Sequence, residues 1–131
     1  MRTETRSISI AAPPAAVFDY VADPRNLPEW APAFADSVRP DGAEWLVTSG
    51  GSELRIAVRA SAEHGTVDLL RAQDRRKGAF TRVLPSGEGS AYLFTLLFDD
   101  GADEAAVAGQ MATVERELEA VRARVEESRV S

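Results

Sequence analysis

Two arginines set most of the chemistry this sequence could offer. Arg71 and Arg82 each lie in a segment of alternating apolar residues. A guanidinium turned into an apolar interior is costly unless a carboxylate, carbonyl groups or a ligand anion meets it. Arg82, placed opposite Tyr92, would anchor a polar or anionic ligand group in an otherwise apolar pocket. The alternatives are a position near a strand end that reaches water, or a bulge that turns the arginine outward. His64 is the single histidine; it falls in the turn "EHG", with no inward partner and out of reach of a substrate proton. Asp68 is accounted for by Arg59, and Asp19, Glu29 and Asp36 read as surface charges. The serines have no accompanying base, and Gly50-Gly51 reads as a hairpin rather than a phosphate cradle. "QDRRKG" is a basic cluster on an acidic chain, of the kind usually solvated at a loop tip. No catalytic residue is assigned on this pattern. With no cysteine and one histidine, disulfides, thiolate nucleophiles and clustered Cys or His metal sites are excluded, and neither metal nor cofactor is expected.

The totals bound the rest. A chain of 131 residues can bury one substantial core, and a single domain over residues 1–131 is expected. Its 44% hydrophobic and 27% charged content is ordinary for a soluble protein. A net charge of −6 argues against nucleic acid or an anionic membrane as the main partner. "MRTETRSISI" lacks an apolar stretch of signal-peptide length and no run approaches a membrane span, so a cytoplasmic location is expected.

The candidate residues are positioned by elements that the pattern predicts. Thr3 to Ile10 alternates and reads as a strand with Ile8 and Ile10 on one face. Pro13-Pro14 ends it and opens a helix, "AAVFDYVA", that Asp23-Pro24 stops. "PRNLPEW" is a second short helical piece, closed by Ala31-Pro32. From Asp36 to Asp99 the pattern is strands and turns. Asp41-Gly42 as a two-residue turn places Pro40 opposite Ala43, Val38 opposite Trp45 and Arg39 opposite Glu44. Gly50-Gly51 pairs Val47 with Leu54 and Trp45 with Ile56. "AEHG" pairs Val58 with Leu69, Ala60 with Val67 and Arg59 with Asp68. The Gln73 to Gly78 connection brings Arg71 opposite Phe80 and Leu69 opposite Arg82. "PSGEG" pairs Arg82 with Tyr92 and Phe80 with Phe94.

These registers give one face with the rows Val38, Trp45, Ile56, Arg71, Phe80, Phe94 and Ala43, Val58, Leu69, Arg82, Tyr92. The other face, with Arg39, Glu44, Arg55, Arg59, Asp68 and Thr81, is wet. From Ala102 to about Glu127 runs one helix, with Asp103-Glu104 favouring its N-terminus. Its stripe is Val107, Met111, Val114, Leu118, Val121 and Val125, with "ERE", "RAR" and "EES" on the other side. Sheet and helix must cover each other.

The order strand, two short helices, six antiparallel strands and long helix resembles the START/pollen-allergen-like helix-grip superfamily (SRPBCC). The stretch "ISIAAPPAAVFDYVADPRNLPEWAP" is similar to its N-terminal signature. "HGTVDL" and "FTRVLPSGEGSAYLFTL" look like mid and late strands of small bacterial polyketide cyclase/dehydrase-like members. The resemblance implies an α+β fold: a seven-stranded antiparallel sheet wrapped around a long C-terminal helix, with a cavity between them. Members bind lipids, hormones and polyketides, and include enzymes, carriers and chaperone cofactors, so the fold alone does not name a function. On this resemblance Trp45, Ile56, Val58, Leu69, Arg71, Phe80, Arg82, Tyr92, Phe94, Met111, Val114 and Leu118 line the cavity. Trp30 and Phe34 stand near its mouth, Trp30 either capping the small-helix core or gating access.

The first functional expectation is binding of a small hydrophobic molecule between sheet and helix. The second is an aromatase/cyclase- or dehydratase-like enzyme in which Arg82 or Tyr92 stabilises an enolate or donates a proton. The third is an interaction module. There Leu46, Ala57, Leu70, Leu93 and Leu97 form an outer patch that could support a homodimer.

Overall fold

Pro13 and Pro14 divide the first strand from the first helix, and glycine turns divide the remaining strands. The computed structural model describes residues 1–130. Strand β1 (Arg2–Ile10) is followed by α1 (Pro14–Val21), a 3-10 turn (Pro24–Asn26) and α2 (Leu27–Trp30). Then come β2 (Ser37–Asp41), β3 (Glu44–Ser49), β4 (Ser52–Ser61), β5 (Thr66–Arg71), β6 (Gly78–Ser86), β7 (Gly89–Phe98) and α3 (Glu104–Val130). The strands form one antiparallel sheet in the order β1-β7-β6-β5-β4-β3-β2. Pro14 occupies the first helical turn, where its missing N–H costs nothing. Asp23 caps the 3-10 turn by accepting from the Arg25 N–H, and Asp103 caps α3 by accepting from the Ala106 N–H at 3.1 Å.

All six stripe residues of α3 are buried, from Val107 to Val125, against the inner face of the sheet. Burial of that stripe and of the facing strands is the main source of stability. Polar contacts fix the helix against β1: Arg6 Nε meets Glu115 at 3.1 Å, and the Ala11 N–H donates to Glu126 at 2.8 Å.

The registers at Gly50-Gly51 and across "AEHG" are as expected: Trp45 faces Ile56, Val58 faces Leu69 and Arg59 faces Asp68. Three others differ, each for a local reason. In the first hairpin Asp41 pairs with Glu44, so Pro40 faces Trp45, Val38 faces Val47 and Arg39 faces Leu46. Gly42, at φ 64°, takes the first loop position, the place for glycine in a II′-type turn, and Ala43 is in the exposed turn. This slip of two residues keeps every side chain on its face. In the β5–β6 connection the Arg71 N–H bonds the Lys77 carbonyl at 2.9 Å, and the Val83 N–H bonds the Gly65 carbonyl at 2.7 Å. Leu69 therefore faces Ala79 and Thr66 faces Arg82. A Cβ on Gly65, at φ 70°, would sit 2.4 Å from the Val83 carbonyl oxygen, so this close approach requires glycine. In the last hairpin Gly87, at φ 58°, is again the first loop residue, and Arg82 pairs with Leu93 and Phe80 with Thr95.

The last two differences are odd in number and cancel. The inner face of β7 is the expected one, but β6 is inverted. Thr81 and Val83 point inward and are buried, whereas Arg82 is exposed and Phe80 half-buried on the outer face. The apolar patch expected on that outer face is small, because Ala57 and Leu70 are buried and only Leu97 is more than a third exposed.

Candidate functional site

The sheet's inner face, α2 and α3 border a half-open cavity of about 580 Å³. Leu54, Ile56, Leu69, Ala79, Phe94, Leu96 and Phe98 supply its floor, Leu27, Trp30 and Ala31 one wall, and Ala106, Val107, Gln110 and Glu117 the roof. Phe34 stands at its edge, with Arg71, Arg76, Lys77 and Asp99 around the opening. A second depression of about 610 Å³ lies between β1 and α3. It is a broad surface groove crossed by the Arg6–Glu115 pair, not an enclosure.

Of the residues that the sequence nominates, Ile56, Leu69, Arg71, Phe94, Trp30 and Phe34 border the cavity. Arg71 reaches it as a rim residue, exposed at the end of β5, rather than as a buried anchor. Trp30 is an interior wall and not part of the mouth: it is 1% exposed and meets Phe94 edge-on at 6.4 Å. Trp45 and Val58 share the inner face but lie outside the lining. Tyr92, Met111 and Val114 are buried in the packed core beyond it, and Leu118 borders the shallow groove instead. Phe80 and Arg82 are on the opposite face of the sheet, so the expected Arg82–Tyr92 pair does not exist. His64 bonds Ser61 at 3.0 Å in an exposed turn, away from the cavity.

The sequence reading missed Glu117. It assigned "ERE" to the solvent side of α3, but Glu117 is buried. Gln110 and Glu117 are seven residues apart, two turns along one flank of the apolar stripe, and both line the cavity. That spacing was the available signal. Burial pushes the Glu117 carboxyl up to about 7, only partly opposed by the neighbouring Arg116 charge. Burial also raises the Tyr92 hydroxyl, partly opposed by a hydrogen bond with Thr81, and the Glu117 charge raises it further. Trp30 Nε1 is buried without a hydrogen-bond partner. A largely apolar interior thus holds a carboxyl able to exchange a proton near neutrality and one unpaired N–H donor. Among the described residues no group of three metal-ligating side chains exists, and no helix is long and apolar enough to cross a membrane.

A curved antiparallel sheet gripping a long C-terminal helix over a cavity defines the START-like helix-grip class. The chain belongs to the polyketide cyclase / dehydrase and lipid transport family, whose model matches residues 1–126. Similar solved structures share this fold. A START superfamily protein from Mycobacterium smegmatis is 16% identical, with a TM-score of 0.69 over 95% of this chain and 97% of that one. The protein TTHA0849 from Thermus thermophilus is 20% identical, with a TM-score of 0.70 over 97% and 99%. The Aha1 dimer from Colwellia psychrerythraea is 15% identical, with a TM-score of 0.73 over 96% and 97%. Among curated protein sequences none matches this chain.

Proposed function

We propose that this protein binds one small hydrophobic molecule in the cavity between the sheet and α3, as a cytoplasmic carrier. The observation that carries this reading is the half-open cavity itself, about 580 Å³ and more apolar than polar in its lining. Protein interiors pack to crystal-like density, with few voids larger than a water molecule. A void of this size falls in the range of small-molecule sites, roughly 300–1,000 Å³. Aliphatic and aromatic contacts with Ile56, Leu69, Phe94 and Leu96 supply the affinity. Filling the space tests this. Val107→Trp projects an indole from α3 toward the cavity and is expected to abolish binding of a fluorescent apolar probe while the chain stays folded by circular dichroism. Probe binding equal to that of the parent would remove the site from beneath α3.

A second reading is favoured by Glu117. An enzyme of the cyclase or dehydratase kind needs an inward acid or base, and Glu117 is an inward carboxyl whose protonation changes near neutral pH. The proton-donating role expected for Arg82 in such chemistry passes to Glu117.

A further inference from the structure

Of the fifteen lysines and arginines in this chain fourteen are arginine, and Lys77, in "QDRRKG", is the single lysine. The two types serve alike as surface charges but differ as reagents. A guanidinium keeps its proton in a protein, whereas an ammonium can release one and expose a nucleophilic lone pair. Lys77 is exposed and borders the opening of the cavity, as do Arg71 and Arg76. Backbone hydrogen bonds fix its setting. The Arg71 N–H donates to the Lys77 carbonyl at 2.9 Å, the Lys77 N–H to the Asp74 carbonyl at 3.0 Å, and the Asp74 N–H to the Arg71 carbonyl at 3.2 Å. A Cβ on Gly78, at φ 147°, would lie 2.1 Å from the Leu69 carbonyl oxygen, so the chain beyond Lys77 is held close against β5.

The acids around this loop are committed to other cations. Asp74 accepts from Arg76 Nε at 3.0 Å, and Glu44 accepts from Arg75 at 3.4 Å. Asp74 feels the Lys77 charge without pairing with it, and neither Lys77 nor Arg71 has an ion-pair partner among the described residues. The Met1 amine, which borders the same opening, is held by Asp100 at 2.6 Å. Lys77 is therefore the amine left free to react, and it stands with two guanidinium groups. Arg76 spends Nε and Nη2 on Asp74, and no described residue takes its Nη1. Guanidinium groups are matched in charge and geometry to phosphate. An acyl phosphate carries its reactive carbonyl carbon one oxygen away from the phosphate. Arginines that hold that phosphate thus also bring the carbonyl to the neighbouring amine.

We propose that Lys77 is a modification site that takes an acyl group from an acyl phosphate, with Arg71 and Arg76 holding the phosphate. The uncharged amine attacks the carbonyl carbon. A C–N bond forms, the C–O bond to phosphate breaks, and inorganic phosphate leaves with the proton that nitrogen loses. No oxidant or reductant enters the step. The product is a neutral amide, so Arg71 becomes the one unpaired cation of the three that border the opening. Acylation thereby lowers the positive charge at the mouth of the cavity. The site goes beyond the binding role proposed above and does not depend on what fills the cavity.

Incubation of the full chain with acetyl phosphate at pH 8.0, followed by intact mass measurement and peptide mapping, tests this. One acetyl group per chain is expected, on Lys77. The double variant Arg71→Gln, Arg76→Gln is expected to slow that reaction about tenfold, the contribution of one charge-assisted hydrogen bond to the phosphate. With the uncharged N-hydroxysuccinimide ester of acetic acid the same variant is expected to react at the parent rate, which separates phosphate recognition from simple exposure. Added inorganic phosphate is expected to slow only the acetyl phosphate reaction. Acetylation mainly at the Met1 amine would overturn the site. So would acetylation of Lys77 that ignores both arginines and added phosphate. Equal slowing with the two reagents would also overturn it, because the arginines would then act on the amine and not on the donor.

Discussion

Replacing Glu117 with glutamine is expected to remove about 3 kcal/mol of pH dependence from the stability of this protein. In the folded chain the carboxyl is raised to about 7 from an ordinary value of 4.5, chiefly by burial. A pKa raised on folding means that the folded state favours the protonated form. Below pH 4.5 both states are protonated and the group has no effect. Between pH 4.5 and 7 the unfolded chain ionises while the folded one resists, so stability falls as the pH rises. Above 7 the loss is complete, and at about 1.4 kcal/mol per unit it amounts to about 3 kcal/mol. Carboxylates held by arginines act oppositely. Glu4, Asp23 and Asp74 are lowered by Arg2, Arg25 and Arg76 and stabilise the fold above their unfolded values. They are common to parent and variant, so they cancel in the difference. Urea denaturation of both proteins from pH 4.5 to 8.5 measures it. Parallel stability curves would show that Glu117 is solvated in the folded chain.

Trp30→Ala is expected to cost about 3–5 kcal/mol, the range for truncating a large buried aromatic side chain. The indole is 1% exposed, packs edge-on against Phe94 and separates α2 from the cavity. Its removal extends an existing void, and the surrounding chain cannot close over it without moving α2. Such a loss is a large part of the roughly 5–15 kcal/mol that holds a domain together. Trp30→Phe is the control: it retains most of the ring and deletes the unpaired Nε1–H, so it should cost much less. A drop in the urea midpoint with an unchanged slope is the expected reading for Trp30→Ala. A loss below about 1 kcal/mol would mean that this wall of the cavity is not part of the packed core.

Those two residues show how far the sequence could be read. Trp30 was identifiable as a cap on the small-helix core from its place after a proline-broken helix, although its place in the cavity wall was not, because α2 is only four residues long and its packing is tertiary. The stripe Val107 to Val125 was legible because helical spacing alone determines a face, and every member is buried. Most of the sheet was legible for the same kind of reason. Alternation fixes which residues share a face, and Gly50-Gly51 fixes a register without ambiguity.

What failed was counting across loops. Asp41-Gly42-Ala43 and Ser86-Gly87-Glu88 each contain one glycine that can fill either central position. Alternation in the flanking strands does not say which. The loop from Ala72 to Lys77 carries no such marker, and its length is fixed by the approach of Gly65 to Val83, a contact between segments. One odd slip sufficed to turn Arg82 and Phe80 outward. Glu117 was missed for a different reason. A glutamate at the flank of an apolar stripe normally reaches water, and only the depth of the sheet's grip on α3 prevents it here.

The central claim is that the cavity holds a molecule. Native mass spectrometry on protein purified from its own host, followed by denaturing extraction, tests it most directly. The account predicts one small, largely apolar molecule per chain, lost on denaturation and absent from Val107→Trp. A bare protein whose tryptophan fluorescence ignores a panel of apolar probes would contradict it.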